Sequence, residues 1–263
     1  MTLITSTENP IYKKIFQLKM KKNRDKMGKY IIEGPNLIAE ALDNQGEIEV
    51  ILRTPDFTMQ EYDLKGRKIP VYTMESGLFG KLSDTETPQG VMAVVKKRIY
   101  SEQEFFLDQG SKSNIILLDR LQDPGNIGTI LRTADAAGYL GAILMKGSGD
   151  IYSPKVVRSA AGSLFRLPVL ILDTPAEALS LLRKYGKRIL CTALKEAKIY
   201  YDADLRENTA IIIGNEGNGV CREFLEGADS RVKIPMEGTI ESLNAAVSAG
   251  IFMYESVRQN FRQ

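Results

Sequence analysis

From residue 114 onward the chain repeats one pattern. Short runs made almost wholly of isoleucine, leucine and valine alternate with stretches of helical period. The aliphatic runs fall at 114–119, 142–146, 168–172, 188–194, 209–214 and 232–235. The helical stretches fall at 126–137, 154–164, 175–185 and 242–261. A strand that is apolar at every position has both faces buried, and helices between such strands are what cover them. The pattern predicts an α/β domain with a mostly parallel sheet over 114–263. The last helix carries Leu243, Val247, Ile251, Tyr254, Val257 and Phe261 at steps of three and four. Gly250 inside that helix costs about 1 kcal/mol relative to alanine. Either another backbone approaches it closely, or the glycine is simply tolerated.

The part before residue 98 is a smaller α/β unit. A helix is predicted over 9–23 from the spacing of Ile11, Ile15 and Leu18, and another over 35–43 from Leu37, Ala41 and Leu42. Strands are predicted at 29–33, 48–52, 69–74 and 91–95. The polar stretch 98–113, with Ser101, Gln109, Gly110, Ser111, Lys112 and Ser113, reads as a linker holding one helical turn. The expected organisation is a first domain over 1–97, a linker over 98–113 and a second domain over 114–263.

Composition narrows the chemistry. The chain has 263 residues, enough for one or two domains, with 43% apolar and 26% charged residues. No run approaches the ~18 apolar residues of a membrane span. Met1-Thr2-Leu3-Ile4 lacks the basic and apolar regions of a signal peptide, so the expected compartment is the cytoplasm. There, Cys191 and Cys221 are expected to stay reduced. Histidine is absent, which removes Ser-His-Asp and Cys-His catalysis and the usual zinc sites. Charge is uneven. Residues 1–30 carry eight lysines and arginines against Glu8 and Asp25, or +6, within a chain of net charge +2. That basic arm reads equally as a nucleic-acid footprint or as a solvated helix face.

Three loops follow predicted strand ends, which is where open α/β sheets bind ligands. They are Asp119 to Arg132, Ile213 to Gly219, and Ile234 to Asn244. The second has three glycines in six residues, a composition that lets backbone groups approach a flat ligand. It is not the dinucleotide G-x-G-x-x-G, and no phosphate-loop motif occurs in the chain.

Together the loops resemble the three ordered motifs of the SpoU (TrmH) family of RNA ribose methyltransferases, in the SPOUT superfamily. Asp123-Pro124-Gly125-Asn126-Ile127-Gly128 with Arg132 is similar to the first motif, Gly214 to Gly219 to the second, and Ile234 to Asn244 to the third. Ala245-Ala246-Val247-Ser248-Ala249 departs from the family's Val-Ser-Val-Ala-Ala but keeps small residues. The first unit resembles the family's ribosomal-protein-like RNA-binding domain, through Tyr30-Ile31-Ile32-Glu33-Gly34 and Ser83 to Gly90.

The resemblance implies a C-terminal trefoil knot, which the general rule on chain threading disfavours, and a homodimer whose interface the last helix helps form. It implies S-adenosylmethionine as methyl donor, no metal, and structured RNA as substrate, ribosomal rather than transfer RNA. It places the cofactor against Gly214, Ile234 and Leu243, with Thr192, Asn215 and Met236 lining the pocket. By pattern alone, Ile234 and Leu243 are core residues. Arg132 becomes the catalytic arginine. An arginine pKa above about 12 argues for phosphate binding and alkoxide stabilisation, whether or not it takes the proton. Asn126 would orient Arg132 or the ribose, and Glu216 would fix the arginine or the second loop. Ser242 and Asn244 complete the set, or serve only as helix caps. Lys155, Arg158 and Arg166 read equally as phosphate contacts or as a solvated face. The alternatives are methylation of transfer RNA, a non-catalytic RNA-binding module that keeps the fold, and a nucleotide-binding enzyme of another type.

Overall fold

The computed structural model describes residues 3–58, 64, 66–107 and 113–261. The chain forms two compact units. One runs to Arg98 and takes in Tyr152–Phe165; the other takes in Ile99–Ile151 and the chain from Arg166 onward.

The first unit is built on a mixed five-stranded sheet. Its order is β1 (Leu3–Ile4), β4 (Val71–Met74), β3 (Ile48–Arg53), β5 (Val91–Lys96) and β2 (Lys29–Glu33). β5 runs antiparallel to both neighbours, and the other pairs are parallel. On one face α1 (Pro10–Gln17) and α4 (Ser76–Leu82) bury Ile15, Phe79 and Leu82 against Leu52, Met92 and Val94. On the other, α3 (Pro35–Asp43) and α7 (Pro154–Ala160) bring Ile38, Ala41 and Val157 to Ile32, Ile51 and Val95.

One helix of this unit differs from the sequence expectation. The helix over 9–23 is in fact two. A turn at Leu18 to Met20 separates α1 from α2 (Lys21–Met27), and the buried Arg24 donates back to the carbonyls of Leu18 and Lys19 at 2.8 and 2.7 Å. The basic arm is also largely answered from within. Lys13 pairs with Glu8, Lys14 and Lys29 with Glu49, and Lys21 with Asp25. Meanwhile the two segments that carry the resemblance meet. Ser83 and Thr85 both donate to Glu33, at 2.8 and 3.0 Å.

The second unit has a seven-stranded sheet in which every pair is parallel. The order is β10 (Lys198–Ile199), β12 (Ser230–Lys233), β9 (Arg188–Thr192), β11 (Thr209–Ile213), β6 (Ile115–Leu118), β7 (Gly141–Met145) and β8 (Val169–Leu172). From β6 the strand order steps outward to β8, crosses to β9, and returns when β11 enters between β9 and β6. The order therefore reverses at the β6–β11 pair, a topological switch point.

One face of this sheet is covered by α5 (Glu102–Phe105), α8 (Pro175–Lys184) and α9 (Arg222–Gly227), with Phe105, Phe106, Leu182 and Phe224 in the core. Phe105 and Phe106 thus anchor part of the stretch expected as a linker, whose residues 108–112 lie outside those described. The turn of helix expected there is α5, closed by a capping box between Ser101 and Glu104. α6 (Pro124–Ala136) packs against α10 (Ala245–Asn260).

α10 buries Ala246, Ala249, Phe252, Met253 and Ser256. The stripe singled out from the sequence points the other way, with Val247 and Tyr254 each 52% exposed and Phe261 more so. A Cβ on Gly250 would meet nothing nearer than the Thr133 methyl at 4.0 Å, so no close backbone within the described residues requires that glycine. No described helix is long and apolar enough to cross a membrane.

Candidate active site

The loop after β6 begins with a buried carboxylate. Asp119 is 1% exposed. Its backbone N–H donates to the Ile213 carbonyl at 2.9 Å, extending the β6–β11 ladder by one bond. Its Oδ2 accepts the Cys221 N–H at 2.7 Å and its Oδ1 accepts Arg120 Nε at 2.9 Å. Arg120 holds a left-handed backbone, φ +56°, and the Asp119 carboxylate raises its guanidinium pKa. Asp123 then caps α6, accepting the Asn126 N–H at 2.7 Å, with Pro124 at the first helical position. Aspartate followed by proline is a strong helix start, because proline lacks one of the amides that would need a partner. This start fixes where Asn126 and Arg132 emerge from the helix.

The loop after β11 is a closed hairpin. Asn215 and Gly219 exchange backbone hydrogen bonds at 3.0 and 2.9 Å. The Asn215 side chain accepts from Gly217 and Asn218, and donates to the Arg120 carbonyl at 2.8 Å. A Cβ at Gly214 would lie 2.2 Å from the Gly219 carbonyl carbon, so the hairpin closes only over glycine. The loop after β12, from Ile234 to Asn244, is open and without regular structure. It ends at Asn244, which caps α10 by accepting from Ala246 and Val247 at 2.9 and 3.3 Å.

One side chain joins the three loops. Asn126 Nδ2 donates to Glu216 Oε1 at 3.3 Å, and Asn126 Oδ1 accepts Asn244 Nδ2 at 2.9 Å. The Glu216 carboxylate also accepts the N–H groups of Gln122 and Asp123 at 3.3 and 3.2 Å. Partial burial pushes the Glu216 pKa up, but backbone amides, its own included, and the Asn126 side chain outweigh that and hold it below the ordinary value. Glu216 is therefore a carboxylate at neutral pH, and its bonds go to the first loop rather than to Arg132.

Arg132 stands exposed on α6, with no hydrogen bond or ion pair to any described residue. A helix-surface arginine serving a salt bridge would show such a partner. Ser242 is exposed and likewise without a hydrogen bond among the described residues, so the cap of α10 is Asn244 alone. Ile234, Met236 and Leu243 are half-buried rather than core. Thr192, at the end of β9, donates to the Ile212 carbonyl at 3.0 Å. Of the basic residues considered for phosphate contact, Arg166 is paired with Asp135 at 2.8 Å, and Arg158 lies 4.0 Å from Asp84.

Sequence reasoning passed over Asp119, Arg120 and Gln122. Gln122 Nε2 donates to the Gly147 carbonyl and, at 3.2 Å, to that of Arg120. A buried acceptor for two converging donors has no local signature. Only the place of Asp119 at the end of a central strand pointed to it. Both cysteines are free thiols; burial pushes Cys191 up to about 12 and Cys221 up to about 11. No group of metal-ligating side chains occurs among the described residues.

Comparison with known proteins gives a consistent answer. Residues 113–254 match the SpoU rRNA Methylase family, and residues 9–93 match the MRM3-like substrate binding domain. The chain is 37% identical over 254 residues to the 23S rRNA (guanosine(2553)-2'-O)-methyltransferase RlmP of Bacillus subtilis, covering 97% of this chain and 98% of that protein. It is 32% identical over 239 residues to the 23S rRNA (guanosine-2'-O-)-methyltransferase RlmB of Xanthomonas campestris, covering 87% and 96%. Among solved structures, the AdoMet-bound rRNA methyltransferase of Sinorhizobium meliloti superposes with a TM-score of 0.89 at 30% identity, covering 98% of each chain. The match spans both units and takes in all three joined loops, and on it the chain belongs to the SpoU rRNA methylase family.

Proposed function

We propose that the chain transfers the methyl group of S-adenosylmethionine to the 2′-hydroxyl of a guanosine ribose in ribosomal RNA. The observation that carries this reading is the junction at Asn126, which ties Glu216 of the second loop and Asn244 of the third to the helix bearing Arg132. Full-length similarity to enzymes acting on 23S rRNA favours ribosomal over transfer RNA.

The residues present suit an adenosine-sized ligand. Gly214 closes a hairpin that keeps side chains off the strand end, and half-buried Ile234, Met236 and Leu243 offer apolar surface beside open backbone. β12, β9 and β11 are consecutive in the sheet, so the outer two lie about 10 Å apart at the usual strand spacing. Thr192, Gly214, Asn215, Ile234, Met236 and Leu243 would line the space between the loops. The bound cofactor supplies an electrophilic methyl on a sulfonium. The chain must then hold the hydroxyl in line and stabilise the developing alkoxide, work that positioning and electrostatics perform. Arg132, with its guanidinium uncommitted, suits an RNA phosphate and the alkoxide. Ser242, likewise uncommitted, in the third motif, suits the ribose. Asn126, Glu216 and Asn244 hold the geometry.

The same reading extends to a trefoil knot through the second and third loops, and to a homodimer. The exposed stripe of α10, with Val247, Tyr254 and Phe261, is the surface a second copy would cover. The test is incubation of purified protein with S-adenosylmethionine and ribosomal RNA from cells lacking it, followed by mapping of alkali-resistant linkages. One new resistant linkage at a guanosine is expected. No new linkage on either naked RNA or ribosomal subunits would overturn the reading, and with cofactor binding intact would favour a binding module.

A further inference from the structure

We propose that Asp119 is a positioning residue that clasps the cofactor loop at both of its roots; this rests on the reading of that loop as the S-adenosylmethionine site. The loop leaves the sheet at Ile213 and rejoins regular structure at Cys221. Asp119 bonds to both. Its N–H reaches the Ile213 carbonyl at 2.9 Å, and its carboxylate takes the Cys221 N–H at 2.7 Å. Between those roots the loop is internally rigid, because Asn215 and Gly219 are paired in both directions and Gly214 has no room for a side chain. A rigid hairpin on two fixed roots moves as one piece. Loosening one root tilts Gly214, Asn215 and Glu216 together.

The carboxylate is required by the count of donors. The carboxylate is 1% exposed, and two groups converge on it with three N–H donors: the Cys221 amide at 2.7 Å and the half-exposed Arg120 guanidinium through Nε and Nη2 at 2.9 and 3.4 Å. An asparagine here has one acceptor oxygen, so its amide N–H₂ must face one of the two groups. Arg120 wins that oxygen as the charged donor, and Cys221 is left unpaired. Removing the guanidinium frees the oxygen to turn to Cys221. Glycine is the replacement that accepts a φ of +56° without strain.

The experiment measures S-adenosylmethionine affinity by calorimetry for the wild type, D119N and D119N/R120G. Loss of one buried hydrogen bond predicts a Kd about tenfold higher in D119N. The change falls on cofactor affinity, while the KM for RNA is kept. D119N/R120G returns to within about threefold of wild type, a rescue that general destabilisation would not give. A D119N affinity equal to wild type, or a double variant weaker than D119N, overturns the clasp. Should D119N not fold, amide exchange of the wild type decides. Cys221 is expected to exchange more slowly than Gly217 and Asn218 inside the loop, and equal rates overturn the proposal. If the wild type binds no S-adenosylmethionine, the functional reading fails instead, and the exchange result still judges the clasp.

Discussion

Replacing Asn126 by aspartate changes one group at the point where three loops meet, with almost no change in shape. The remaining oxygen still accepts from Asn244 Nδ2, now at 2.9 Å. The other side of the group, which donates to Glu216 at 3.3 Å, becomes a second carboxylate oxygen. Two unit charges at that distance repel by roughly 1 kcal/mol in water and about 5 at an effective dielectric of 20. Asn126 is half-buried and Glu216 exposed, so about 2 kcal/mol is a reasonable middle value, or roughly thirtyfold in an equilibrium constant. The sign with pH follows from the pairing. Two carboxyls in contact cannot both ionise freely, so one titrates above its ordinary value. Below that raised pKa the shared proton restores a donor between residues 126 and 216, and above it the repulsion is fully present. Methyl transfer by N126D should therefore sit about thirtyfold below wild type at pH 8 and recover, relative to wild type, as pH falls toward 5. N126A, which loses both bonds and gains no charge, should hold a constant ratio. The assay is kcat/KM with tritiated S-adenosylmethionine across that range. A flat N126D ratio would refute the idea that Asn126 works by its bond to Glu216.

Three further outcomes can be checked. Arg132→Lys keeps the charge but loses the planar fork, and because Arg132 has no partner among the described residues, turnover should fall by about a hundredfold with Tm unchanged within about a degree; wild-type turnover would remove the geometric role. Cys191 and Cys221, with pKa values pushed up to about 12 and about 11 by burial, should both resist iodoacetamide at pH 8 in the folded protein and react only on denaturation, read by mass spectrometry. On the proposed homodimer, the wild type should sediment as a dimer and Tyr254→Glu on the exposed stripe of α10 as a monomer with the fold intact, since the side chain is half exposed in the single chain; a wild-type monomer would refute the dimer, and a dimeric variant would refute this interface.

Much of the second unit was legible because a parallel sheet leaves little choice. Runs such as Ile115-Ile116-Leu117-Leu118 and Ala210-Ile211-Ile212-Ile213 are apolar at every position, so register cannot blur them. The three loops followed from where those runs stop. Short elements escaped. β1 and β10 are two residues each, and α4 and α9 hold too few turns for a period to show. The helix over 9–23 failed because its break at Leu18 to Met20 contains neither glycine nor proline. α10 is the instructive case. Its most regular apolar stripe runs through Val247, Tyr254 and Phe261, yet the buried face is Ala246, Ala249, Phe252, Met253, Glu255 and Ser256. Ala246, Ala249 and Ser256 carry little weight in a hydropathy pattern and Glu255 carries the wrong sign, so Phe252 and Met253 alone did not mark that face. The pattern thus pointed to a surface that the single chain leaves open. In the site, residue identity was readable but partnership was not. Nothing in the spacing shows that Glu216 bonds to the backbone before α6, or that Asp119 receives the Cys221 amide.

The place of β11 in the sheet also sets a clock. β6 and β9 both have a neighbour missing until Thr209–Ile213 has been made and inserted between them. At 5–20 residues per second, the ribosome adds β11 about 5 to 18 seconds after it finishes β6. For the last part of that interval, roughly 1 to 4 seconds from the completion of β9 to that of β11, the growing chain carries two short, apolar strands that both wait for the same partner, the kind of surface that invites wrong pairing and chaperone capture. The catalytic loops are born on either side of this late insertion. A chain that stalls before residue 209 could be well on its way to a sheet and still have no site at all.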